Sequence, residues 1–133
     1  MYDSCPFCVI FNHDKVQRII KQNDLAFVMR DGYPVSDGHT LIIPKRHVAS
    51  FFEISNDERQ ALFSLIDHSQ KELDQEFNPD AYNIGINDGV SAGQTVPHLH
   101  IHLIPRYEGD IKDPRGGVRW IMPEKADYWS NNK

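Results

Sequence analysis

The sequence predicts an α+β domain built on a mostly antiparallel sheet. Three observations predict it: one strongly marked helix beginning near Ser55, apolar segments of strand length on both sides of it, and short turns joining neighbours as hairpins. Val16 to Gln22 and Leu25 to Arg30 read as strands separated by the turn pair Asn23-Asp24. Asp31-Gly32-Tyr33-Pro34 and Ser36-Asp37-Gly38 carry loop chemistry. His39 to Pro44 then reads as a buried strand that stops at the proline. At Ser55 a hydroxyl cap and Glu58 three residues later form a capping box, and Asp57 favours the first turn. Leu62, Leu65, Ile66, Ser69 and Leu73 recur at helical spacing, and Asn78-Pro79 ends the helix. Ala81 to Asn87 reads as a strand, Asp88 to Gly93 as a loop, and His98 to Pro105 as the last strand. From Arg106 onward, proline, glycine, charge and aromatics predict little regular structure.

The 133 residues suit one domain, spanning 1–133, with 40% apolar and 25% charged residues. A net charge of -5 argues against a non-specific nucleic-acid binder but leaves room for a small anionic ligand in a locally positive pocket. Met1 to Ile10 lacks a basic region followed by a long apolar run, and no stretch approaches the roughly 18 apolar residues of a membrane span. A cytoplasmic protein without a membrane partner is the expectation. Cys5 and Cys8 stand in the run Cys5-Pro6-Phe7-Cys8, and that spacing suits a redox pair or half of a zinc site. A thioredoxin-type pair follows a strand in a βαβ unit, and only four residues precede this one, so zinc is favoured if two further ligands exist.

His98-Leu99-His100-Ile101-His102-Leu103 is the most informative segment. Side chains alternate along a strand, so the three histidines share one face, successive ones roughly 7 Å apart, while Leu99, Ile101 and Leu103 enter a core. A half-buried strand with a wet face would carry Thr, Lys or Glu there. Three imidazoles suit either a catalytic zinc with an open position or a nucleophile whose second nitrogen is fixed by a carbonyl. Gly93-Gln94-Thr95 lies just upstream and offers N–H groups, an amide and a hydroxyl, the neutral donors that a phosphate needs. A bare zinc site would not require them.

The run from Gly93 to Leu103 resembles the signature of the histidine triad family of nucleotide hydrolases and transferases. Asp31, Pro34, Gly38-His39, Leu41-Ile42-Ile43-Pro44-Lys45 and His47 resemble that family's other recurrent segment, and the likeness covers about 5–106. The resemblance implies an α+β fold with one long helix and a short N-terminal helix, a homodimer, and a nucleotidyl-histidine intermediate formed at the α-phosphate. It makes His100 the nucleophile, with His102 and the Thr95 hydroxyl on the phosphate and a Gly93 N–H beside them. Gln94 belongs to the same donor turn. Asp31 would hold the ribose hydroxyls, Asn87 would lie near sugar and phosphate, and Phe7, Ile10 and Met29 would line the base pocket, where ordinary core packing is the competing reading. Related proteins carry zinc on a cysteine pair and two histidines, which here match Cys5, Cys8, His47 and His98. Such a closed set is structural, one zinc per chain, with no catalytic metal required.

The leading functional expectation is hydrolysis of dinucleoside polyphosphates such as diadenosine tetraphosphate. The alternative within the same chemistry is a purine nucleoside phosphoramidase. A non-catalytic nucleotide-binding protein and a metallohydrolase using the three histidines complete the field. His39 is expected near the site, holding structure through a hydrogen bond, and His13 and His68 on the surface. Arg106, Lys112, Arg115 and Arg119 in the tail, 107–133 and its approach, suit either outer phosphates or a solvated segment. Trp120, Tyr128 and Trp129 suggest that the tail docks on the body or on a partner subunit. Ala61 and Phe63 fall off the helix stripe, so the helix has a second side to cover in a dimer.

Overall fold

The computed structural model describes residues 4–12 and 16–130. Helix α1 (Pro6–Asn12) is followed by a 3-10 turn (Val16–Arg18) and strands β1 (Ile19–Gln22), β2 (Ala26–Arg30) and β3 (Thr40–Pro44). A second 3-10 turn (Phe51–Glu53) leads into the long helix α2 (Asn56–Phe77), strand β4 (Ala81–Gly85), a turn at Val90–Ala92 and strand β5 (Ile101–Arg106). A 3-10 turn (Gly117–Ile121) and the short helix α3 (Pro123–Ala126) follow. The five strands form one antiparallel sheet in the order β1-β2-β3-β5-β4, the α+β architecture expected.

Local chemistry sets each element. The Ser55 hydroxyl accepts from the Glu58 N–H at 3.1 Å, and the Glu58 carboxylate accepts from the Ser55 N–H at 2.9 Å. Asn78 closes α2 in the left-handed region at φ 51°, directly before Pro79. In the first hairpin the Asn23 side-chain oxygen accepts from the N–H groups of Leu25 and Ala26, and its amide donates to the Ala61 carbonyl of α2. That one side chain builds the turn and ties it to the helix.

The central strands are buried on both sides. Leu62, Leu65 and Leu73 of α2 pack on Ala26, Val28, Ile42, Ile101 and Leu103, each leucine contributing about 1.5–3 kcal/mol. The alternate residues Phe27, Met29, Leu41 and Ile43 face the other way and meet Cys5, Phe7, Cys8 and Ile10 of the α1 segment. Strand β3 is consequently buried throughout.

Three boundaries differ from the sequence expectations by two residues or more. Residues 16–18 form a turn, and β1 starts at Ile19 with an irregular register before Lys21. Strand β4 stops at Gly85, so Ile86 and Asn87 belong to the following loop. Strand β5 starts at Ile101, because Leu99 donates its N–H to Val48 outside the sheet. The tail is also more ordered than expected. The Arg119 guanidinium lies 4.7 Å over Tyr128 and that of Arg115 4.9 Å over Trp129, which staples α3 and the preceding turn together. No helix among the described residues is long and apolar enough to cross a membrane.

Candidate active site and metal centre

Between α1, the Asp31–Val35 loop and the start of β5 lies a cleft of about 490 Å³. Phe7 and Ile10 come to it from α1, Met29 from β2, and Leu41 from β3, where it pairs with Met29. Asp31, Asn87, Gly93, Thr95, His100 and His102 complete the wall. Every expected catalytic and substrate residue except Gln94 thus lines one cavity.

The histidines are fixed by partners that determine their tautomers. His100 Nδ1 lies 2.8 Å from the His98 carbonyl oxygen. A carbonyl only accepts, so Nδ1 carries the proton and Nε2 keeps its lone pair. His39 Nδ1 accepts from the Val35 N–H at 3.1 Å, which places the proton of neutral His39 on Nε2. That Nε2 lies 2.9 Å from His102 Nδ1 and 3.4 Å from Asp31 Oδ2. His102 therefore accepts on Nδ1 and presents an Nε2–H donor. Burial lowers the pKa of His39, with the nearby Asp31 charge opposing it. Burial, followed by the charges of His100 and His39, lowers that of His102. Both shifts favour the neutral rings that this chain of donors requires. Gly38, at φ 87°, makes the turn before His39 in contact range of Phe77 and Leu73, a position with no space for a side chain.

The upstream turn differs from its expected role. The Gly93 N–H donates to the Val90 carbonyl and the Gln94 N–H to the Gly89 carbonyl. The Gln94 amide accepts from Gly89 and donates to Ala49 and Val96. Gly93 and Gln94 thus build the loop, and Thr95 is the member of that run with a side-chain donor at the cavity.

On the far side of His98 a second cluster forms. Cys5 Sγ lies 3.3 Å and Cys8 Sγ 3.5 Å from His98 Nδ1; Cys8 Sγ and His98 Nδ1 lie 3.3 and 3.2 Å from His47 Nδ1. The four donor atoms all fall within 4.8 Å of one another. Ligands of a tetrahedral zinc, at about 2.3 Å for sulfur and about 2.0–2.1 Å for nitrogen, stand about 3.3–3.8 Å apart. The donor set fits such an ion. His98 Nε2–H donates to the Pro44 carbonyl at 2.8 Å, which leaves Nδ1 bare toward the sulfurs. Burial pushes the Cys8 thiol up to about 11, with Cys5 adding to the shift, so thiolates there need a cation. The three triad histidines therefore do not share one metal: His98 turns to the cysteines while His100 and His102 face the cleft.

Some residues carry less than expected, and others more. His68 bonds the Ser64 carbonyl on the exposed side of α2, and His13 lies outside the described residues. Arg106 is engaged by Asp110 and Asn83, Arg115 by Asp113, and Arg119 by the carbonyls of Lys125 and Ala126, so these arginines brace the tail. Leu41 joins the cleft through its alternation with Ile42 on β3, a signal readable in advance. Arg18 also lines it, and no sequence pattern marks that.

A sequence model of the HIT domain matches residues 12–109. The bis(5'-nucleosyl)-tetraphosphatase (asymmetrical) of Schizosaccharomyces pombe is 42% identical over 80 residues, covering 60% of this chain and 44% of that protein. A HIT family protein from Bacillus anthracis superposes with a TM-score of 0.74 at 35% identity, over 81% of this chain and 77% of that one. A Zn-bound histidine triad family protein from Mycobacterium smegmatis gives a TM-score of 0.72 at 30% identity, with 86% of each chain covered.

Proposed function

We propose, from the premise that this chain belongs to the HIT domain family, that it hydrolyses dinucleoside polyphosphates at an α-phosphate with His100 as nucleophile. One observation carries the reading: the His100 ring lines the cleft and is anchored through Nδ1 on the His98 carbonyl, which in the neutral ring leaves the lone pair on the opposite nitrogen. In the first step His100 Nε2 attacks the α-phosphorus. An N–P bond forms, the P–O bond to the outer phosphates breaks, and the leaving polyphosphate keeps the electron pair. Water then attacks phosphorus, the N–P bond breaks, and a nucleoside monophosphate leaves with the neutral imidazole restored. The His102 Nε2–H and the Thr95 hydroxyl supply donors to the phosphate oxygens. Asp31 has lone pairs beyond those used by Tyr33 and His39 for ribose hydroxyls, and Asn87 stands near the sugar–phosphate junction. Phe7, Ile10 and Met29 form the base slot. That the Schizosaccharomyces pombe relative is a bis(5'-nucleosyl)-tetraphosphatase supports the polyphosphate substrate.

The cluster of Cys5, Cys8, His47 and His98 would hold one structural zinc per chain, a reading supported by the Zn-bound Mycobacterium smegmatis relative. When bound, the ion ties α1 to the segment carrying His98 and supplies no chemistry at phosphorus. One compact domain across 1–133 accommodates both sites, with the tail packed on the body.

The test is His100→Asn assayed on diadenosine tetraphosphate with products resolved by chromatography. Wild type should release AMP and ATP, and α-labelled substrate quenched in turnover should leave label on protein. The variant should lose at least about 10³-fold in rate, since a covalent route exceeds the roughly 10²–10⁴-fold of acid–base help. A variant with near-normal turnover would sink the assignment.

A further inference from the structure

We propose that Arg18 reads the nucleobase, favouring guanine over adenine because its guanidinium offers paired donors in an otherwise apolar slot. The inference rests on the nucleotide reading above. The floor of the slot is Met29 beside Leu41, and its wall is Phe7 and Ile10; all four are buried, and none brings a polar group that could orient a base. Pockets of this kind gain specificity from a few placed polar groups. Arg18 enters the same cleft from the turn before β1, half-buried.

The guanidinium is held in place. Its Nη2 donates to the Arg30 carbonyl at 3.1 Å, and a Cβ built on Gly32 would stand 3.5 Å from that same atom. Arg18 is therefore tethered at the Arg30 carbonyl and lies beside Gly32, at ordinary contact distance for a side chain there. Among the described residues it is the only arginine or lysine lining the cleft, and it has no carboxylate at ion-pair distance. Arg30 and Arg46, by contrast, point at Glu76 and Glu58. A guanidinium clamped by a carbonyl, with the rest of its donor fork unclaimed by acid groups, is a recognition group for acceptors. Guanine presents O6 and N7 side by side. Adenine presents N7 beside an amino donor, which opposes one arm of the fork.

The experiment uses the full chain carrying His100→Asn, so that ligands bind without turnover, and titrates GMP, AMP and 7-deaza-GMP by calorimetry. GMP should bind about tenfold or more tighter than AMP, and 7-deaza-GMP, lacking the N7 acceptor, should lose most of that advantage. Adding Arg18→Met should bring GMP down to AMP while AMP binding changes little, which also shows that the variant is folded. AMP binding as tightly as GMP, or a GMP preference that survives Arg18→Met, overturns the role of Arg18 and leaves the nucleotide site standing. Failure of every nucleotide to bind overturns both.

Discussion

Removing the metal should release α1 while the sheet stays folded. Helix α1 has seven residues, and ordering them costs about 1–2 kcal/mol each, roughly 7–14 kcal/mol in all. Its apolar anchors are Phe7 and Ile10, both buried, and the half-buried Phe11 stacked on Phe27, which return at most about 1.5–3 kcal/mol apiece. So short a helix has little stability of its own. The deficit is several kcal/mol, and ligation by Cys5 and Cys8 is the available source. Structural zinc contributes apparent values of about 10–16 kcal/mol in small zinc-finger peptides. The core between α2 and the sheet shares no residue with α1 and should survive the loss. Hydrogen exchange read by mass spectrometry, with and without a strong chelator, checks this directly. Peptides covering residues 4–12 should lose protection, those of β2, β3 and α2 should keep theirs, and one equivalent of zinc should restore the first set. Nucleotide affinity should fall in parallel, because Phe7 and Ile10 leave the cleft. If protein verified as metal-free protects α1 as before, apolar packing suffices and the structural role assigned to the metal is wrong.

Two other outcomes are expected. Arg46, hydrogen-bonded to Glu58, holds that carboxyl down at about 2 against an ordinary 4.5. A depressed acid stabilises the fold above its unfolded value, and the contribution is lost as pH falls through about 4.5 toward 2. Discounted for the exposed Arg46, it amounts to about 2–3 kcal/mol, so urea unfolding between pH 6 and pH 2 should show a steeper loss in wild type than in Glu58→Gln; parallel curves would remove Glu58 from the account. We also expect a homodimer, with the exposed Ile84 of the edge strand β4 and Val118, Ile121 and Met122 of the tail as surface to be covered. Deleting residues 120–133 should alter substrate preference more than the rate of the chemical step, and a fully active monomer in light scattering at micromolar concentration would contradict this.

Much of the architecture was legible because its signals are local. Ser55 and Glu58 cap a helix wherever they stand three apart before an apolar stripe, and Asn23 builds a turn with its own side chain. The cysteine pair was equally readable as half of a metal site. The engagement of the Gly93-Gln94 donors was not legible for a physical reason: composition shows that a loop has N–H groups and an amide, but not whether the loop uses them in closing itself. Here it does. Arg18 was invisible for the opposite reason. Its place in the cleft rests on the Arg30 carbonyl, which forms no pattern around residue 18.

The late start of β5 has a chemical consequence. The alternation of His98, Leu99, His100, Ile101 and His102 predicts one continuous strand with three imidazoles on a common face. In such a strand the His98 carbonyl lies in the plane of the sheet, where ladder partners or neighbouring strands claim it. In the structure the chain leaves the sheet before Ile101, and the freed carbonyl turns back to accept from His100 Nδ1. The same departure lets the His98 ring swing away from its neighbours, with Nδ1 toward Cys5, Cys8 and His47 and Nε2 on the Pro44 carbonyl. Phe7, from between the two cysteines, packs its ring 5.6 Å from that of His98 and 5.0 Å from that of His100. One residue thus joins the cysteine–histidine cluster through its ring and fixes the tautomer of His100 through its backbone. A regular strand would satisfy the hydrophobic pattern better and would lose both connections. The irregularity at His98 is what couples the N-terminal segment to the ring of His100.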